Sequence, residues 1–203
     1  MPADVDALVR WLGSQDCQLE PGLSDEELAR AEEHFELIFS PLWRAVLSRV
    51  HPVDIDGSSR RAGYPDWRSR NQLAVRTLVE RPVEGLLFDV ADNDFWWTSW
   101  GARPADVGSR LRAARTALVT APRLVPLRGH WYVGPSDDSP VFSIVQTDLH
   151  IPAVTLGDLP DGRSQEAVPA EDWPIGDVAF WSRLHAYSQR PDDPRFAGLA
   201  THE

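Results

Sequence analysis

Residues 86–101, LLFDVADNDFWWTSWG, set three carboxylates (Asp89, Asp92, Asp94) and three indoles (Trp96, Trp97, Trp100) in one short segment that opens on an apolar run. How that run is read decides the fold. Leu86, Leu87, Phe88 and Val90 are apolar in both parities, as a strand covered on both faces requires, and Pro82 stands just upstream, where it removes a helical donor. Residues 67–80 accordingly read as a helix with Leu73, Val75, Leu78 and Val79 apolar, ended by Pro82, and LLFDV as a central strand. Asp92-Asn93-Asp94 supplies the turn chemistry that ends it. If Phe95–Trp97 continue as strand, Trp96 and Trp97 point to opposite faces, so one enters the core and the other is covered by a helix or offered to a partner.

Upstream, VDALVRWL (5–12) has helical spacing and is stopped by Gly13. In GLSDEELARAEEHFELIF, Ser24 and Glu27 form a capping box and Leu23 and Leu28 occupy the staple positions. Leu28, Ala31, Phe35, Ile38 and Phe39 continue the apolar stripe, leaving Glu26, Glu32, Glu33 and Glu36 for water or a partner. Ser40-Pro41 starts another helix that turns Leu42, Trp43, Val46, Leu47 and Val50 inward. The run 51–66 is rich in turn residues and reads as a loop. Downstream, PADVGSRLRAARTALV is helical through Val107, Leu111, Ala114 and Leu118; RLVPL, HWYV and PVFSIVQTDLHI read as strands, and residues 177–188 as a closing helix. Helices first and strands clustered later predict an α+β fold, one domain over 1–203, with a mixed, mostly antiparallel sheet; residues 152–176 are left unplaced and 190–203 are expected to fray.

The 203 residues suit one domain. The acidic start MPADVDALVR and the absence of a long apolar window predict neither a leader nor a membrane span, and the lone Cys17 suits a reducing, cytoplasmic setting. A formal charge of −11 disfavours nucleic acid and anionic membranes and favours a basic protein partner. Charge is uneven along the chain. Residues 16–36 carry eight carboxylates against Arg30, whereas 102–128 carry six arginines against Asp106, which predicts an acidic end and a basic patch.

No glycine spacing makes a phosphate loop, no serine sits in a nucleophile elbow, and Cys17 has no basic neighbour in sequence to activate it. The six histidines are never paired at metal-ligand spacing. Asp89, Asp92 and Asp94 lack the glycine and distal glutamate of a calcium loop, and a pair of aspartates alone is no warrant for glycosidase chemistry. The chain thus reads as non-enzymatic, with no cofactor and no metal.

Four motifs in order carry a resemblance: GLSDEELARAEEHF…SPLWRAVL, then PVEGLLFDVADNDFWWTSWG leading into Trp100, Gly101, Arg103 and Pro104, then PRLVPLRGHWYVG and PVFSIVQTD. Over residues 20–150 the chain resembles the SUKH superfamily, which joins bacterial immunity proteins to the yeast Smi/Knr-type regulator of cell-wall synthesis. The resemblance implies an α+β domain that acts by binding proteins, in bacteria often a toxin domain, with no catalytic set to carry over. The expected recognition surface comprises Glu26, Glu32 and Glu33 on the acidic helix with Asp92, Asp94, Trp96, Trp97, Trp100 and Arg103. The competing expectation is a small-ligand or enzymatic pocket built on segment 89–100.

Overall fold

A four-stranded antiparallel sheet, in the order β4 (Val125–Arg128), β5 (Trp131–Val133), β6 (Val141–Val145) and β7 (Asp148–Ala153), has apolar side chains on both faces and so needs a cover on each. Val125, Val133, Val141 and Ala153 are paired across the strands in one row and join a first core. Tyr132, Phe142, Ile144, Leu149 and Ile151 join a second. Strict alternation would put Ala153 with Leu149 and Ile151. The register shift that pairs Ser143 with His150 but Val141 with Ala153 moves it to the other face, which is what a β-bulge does. The structure, a computed structural model, describes residues 2–55, 63–69 and 72–202.

The first core is roofed by α1 (Pro2–Gly13), α2 (Asp25–Phe35) and α3 (Pro41–Leu47). Ser24 accepts from Glu27 N and the Glu27 carboxylate accepts from Ser24 N, so the predicted capping box is present in both directions. α2 ends earlier than its sequence stripe, because Glu36 turns left-handed at φ 52°; Phe39 remains buried but Ile38 is 63% exposed. Ser40 caps α3, with Pro41 where no donor is needed. Two short strands close this side, β1 (Gln18–Pro21) and β2 (Val50–Val53). β2 corrects the loop expected over 51–66, whose positions 56–62 lie outside the described residues; Val50 belongs to this strand and not to the helix before it.

The second core lies under α4 (Gln72–Asp92), α5 (Val107–Leu118) and α6 (Trp181–Gln189). α4 corrects the reading of the opening stretch: LLFDV is helical, and the helix continues through Pro82. Proline at that position takes away the N–H that Leu78 C=O would accept. The Tyr132 hydroxyl, reaching up from β5, donates to Leu78 O at 3.2 Å and fills the gap. Burial of the hydroxyl at the sheet pushes the Tyr132 pKa up to about 12, so it stays a donor across the physiological range. Leu86, Leu87 and Val90 then enter the second core, whereas Val75 and Val79 enter the first, so α4 passes from one core to the other; Leu73 and Phe88 stay exposed.

Gly85 lets α4 approach the β6–β7 turn, since a Cβ there would stand 3.2 Å from Gln146 N and Cα. Asp89, 2% exposed, accepts from Thr147 N at 2.8 Å in the same turn and from the Asn93 amide at 2.6 Å. Past Asp94 the chain forms β3 (Phe95–Trp97), and Ala200–His202 returns antiparallel to it as β8. That pairing replaces the expected frayed tail. Residues 152–176, unplaced from sequence, form three short 3-10 turns, and Gln165 in one of them accepts from Ile151 N on the outer edge of β7. The chain is a single α+β domain whose sheets, among the described residues, are all antiparallel.

Candidate functional site

The carboxylate-indole segment spans the end of α4, a turn and β3. Asp89 faces inward as the anchor of the β6–β7 turn, and Asn93 N closes the helix on Asp89 O at 3.0 Å. Asp92 is exposed on the last turn. Asp94 takes the left-handed conformation at φ 56°, which an aspartate tolerates, and this turns the chain into β3. Its Oδ1 accepts from Arg103 and, at 3.3 Å, from Arg110 Nη1. The Arg103 guanidinium, with Arg110 behind it, holds the Asp94 carboxyl below its usual range although the side chain is half exposed.

The indoles pack within the domain. Trp96 and Trp97 are 2% and 4% exposed, and they sit on opposite sides of β3 as strand geometry demands. Trp96 donates from Nε1 to Gly101 O at 2.9 Å and meets Trp100 edge to face at 5.4 Å. Trp97 lies edge-on to Phe180 at 5.6 Å and to Tyr187 at 6.0 Å, so α6 covers it. Trp100, half-buried in a 3-10 turn, stacks on Phe180 at 6.1 Å. Burial leaves Trp96 and Trp97 little surface for a partner protein to reach, and the turn carries the flank of Trp100 outward.

Beside them lies a cleft of about 470 Å³ lined by Trp96, Thr98, Gly101, Arg103, Arg110 and Thr201. Of the sequence candidates, Trp96 and Arg103 line this cleft, Asp94 bonds its arginines and Trp100 packs on its indole wall. Its charged lining is arginine, not carboxylate. Arg110 was not singled out from sequence, yet it lies one helical turn before Ala114 and two before Leu118, the buried stripe of α5, and an arginine in an apolar stripe is a legible signal.

The acidic candidates lie on α2, over the first core. The Glu26 and Glu33 side chains are exposed and, among the described residues, form no ion pair or hydrogen bond. Glu32 departs from expectation: it accepts from Phe39 N at 3.0 Å and pairs with Arg44 at 2.6 Å, closing the α2–α3 corner. Glu27 belongs to the cap, and its bond with Arg68 lowers its pKa to about 2. The expected basic patch is largely neutralised by carboxylates from elsewhere in the chain, with Arg115 on Glu84, Arg123 on Glu36, and Arg103 and Arg110 on Asp94. Arg128 instead bonds Gln15 and lies over the Trp131 ring at 4.3 Å.

Among the described residues no three His, Cys, Asp or Glu side chains converge as ligands for a metal ion, and no helix is long and apolar enough to cross a membrane. The chain matches no family model, no curated protein and no solved structure.

Proposed function

We propose that the protein is a non-catalytic binding module whose partner is a basic protein surface, met first by the outer face of α2. One observation carries this reading: Glu26 and Glu33 stand exposed and, among the described residues, unpaired on a helix fixed at its start by a reciprocal capping box, so their charge is presented outward from a rigid support. The global charge of −11 adds to their field at long range. The resemblance of residues 20–150 to the SUKH superfamily makes a toxin domain the favoured partner class and immunity the favoured role. Glu32, bound to Arg44, serves the fold rather than the encounter.

Exposed charge steers association and is screened beyond about 8 Å at physiological salt. Capture from the source cell's lysate supplies the partner, and stopped-flow mixing then measures both rate constants. The double variant Glu26→Arg, Glu33→Arg is expected to slow association several-fold at low salt and to leave dissociation nearly unchanged. Association rates indifferent to both substitutions and to salt would remove α2 from the encounter surface.

A further inference from the structure

Arg110 projects from the buried side of α5 and is only 9% exposed, yet its guanidinium has five N–H bonds to place. Among the described residues one of them is placed: Nη1 meets Asp94 Oδ1 at 3.3 Å, while Nε is buried with no hydrogen-bond partner. Asp94 meets it through one oxygen that also accepts from Arg103, on a side chain half exposed to water. A buried guanidinium short of acceptors is costly to leave so unless acceptors arrive from outside.

The cleft next to it is where they can arrive. Its volume of about 470 Å³ falls within the range of small-molecule sites. Gly101, at φ 92° with no heavy atom within 4 Å of where a Cβ would stand, leaves one wall open, and Thr201 on β8 stands exposed at the rim. Planar forks of N–H donors bind carboxylate and phosphate oxygens with charge-assisted hydrogen bonds, which are stronger than those to neutral acceptors such as water. We propose that this cleft binds a small oxyanion, a carboxylate or a phosphate group, through the Arg110 guanidinium. In a chain of formal charge −11 this is a local site for an anion, distinct from the acidic face of α2 and independent of the partner read there.

Nitrogen-proton correlation spectra of the arginine Nε–H groups, recorded at constant ionic strength, test it with two probes, inorganic phosphate and acetate. The Arg110 resonance is expected to shift and saturate with at least one of them, at an affinity on the order of 1 mM for so small a probe. Saturation by acetate alone assigns a carboxylate ligand, by phosphate alone a phosphate group, and by both an oxyanion site of either kind. Thr201→Glu places a competing carboxylate at the rim without touching Arg110 and is expected to weaken binding at least tenfold; Arg110→Lys, which keeps the charge and loses the fork, should weaken it similarly. No saturable shift with either probe overturns the proposal, as does binding that neither substitution alters in a chain that remains folded.

Discussion

Replacing Tyr132 by phenylalanine removes one oxygen and tests whether a strand side chain sustains a helix that contains proline. Pro82 leaves Leu78 C=O without its helical donor, and Tyr132 Oη donates to that oxygen at 3.2 Å. An unsatisfied, part-buried carbonyl costs roughly 1–3 kcal/mol, and the long bond places the expected loss for Tyr132→Phe near the lower end, about 1–2 kcal/mol. A double-mutant cycle isolates the contact. Pro82→Ala restores an N–H that can reach Leu78 O, so in the alanine background the hydroxyl should matter much less, with a coupling of about 1 kcal/mol between the two sites. Urea unfolding of the four proteins, followed by tryptophan fluorescence and fitted for midpoint and slope, yields that number. A coupling indistinguishable from zero would refute the account, because it would mean that the hydroxyl and the missing N–H do not serve the same carbonyl.

Two further outcomes follow from burial. Trp97→Ala, at a ring 4% exposed and covered by Phe180 and Tyr187, should cost about 3–5 kcal/mol of stability; unchanged unfolding together with weakened partner binding would instead make that indole a recognition residue. Acid should weaken the fold through His185, which is fully buried, donates from Nε2 to Gln165 Oε1 at 3.0 Å, stacks on Trp173 and has no partner for Nδ1 among the described residues. Burial lowers its pKa from 6.5 to about 4, so between those values the unfolded chain takes up a proton that the native state refuses. Stability should therefore be full above pH 6.5 and fall by up to about 1.4 kcal/mol per pH unit towards pH 4, with His51, shifted the same way by burial, adding to the slope. Urea midpoints across that window that stay level, or that fall equally steeply in a folded His185→Gln variant, would contradict this assignment.

Local signals were legible wherever one residue type has one structural use. Ser24 with Glu27, and Ser40 with Pro41, mark helix starts by chemistry that acts within a few residues, and each is realised at the predicted position. β4 and β5 were likewise readable from short apolar runs between turns, whereas PVFSIVQTDLHI, expected as a strand, is divided into β6 and β7 by a turn in which Gln146 is left-handed at φ 59°. The misreading of LLFDV has a non-local cause. Pro82 ends a helix only if nothing else satisfies Leu78 O, and the group that does so, Tyr132, lies fifty positions further on. An apolar run that is buried on most sides also loses its period, so helix and covered strand look alike. β1, β2 and β8 were missed for a related reason: each is short, and each exists through pairing with a distant segment, β1 with β2 and β8 with β3. At the candidate site the sequence does not say which way the side chains of the segment turn. Asp89 went inward, Trp96 and Trp97 were covered, and Arg110 joined from a helix whose charge had been read as surface.

The bulged sheet with a core on either face also has a consequence in time. α1, α2 and α3 are made first, but the surface they cover is built from Val125, Val133, Val141 and Ala153, which leave the ribosome about a hundred residues later. At about 5–20 residues per second that is a delay of several seconds or more, during which the apolar faces of the three leading helices have no sheet to rest on. The early chain must wait in a loose state or under a chaperone, and its completion depends on contacts far apart in sequence, which slows folding relative to a helical bundle of similar size. A nascent chain stalled before β6 should therefore be digested by protease in α1–α3, and one released after β7 should not.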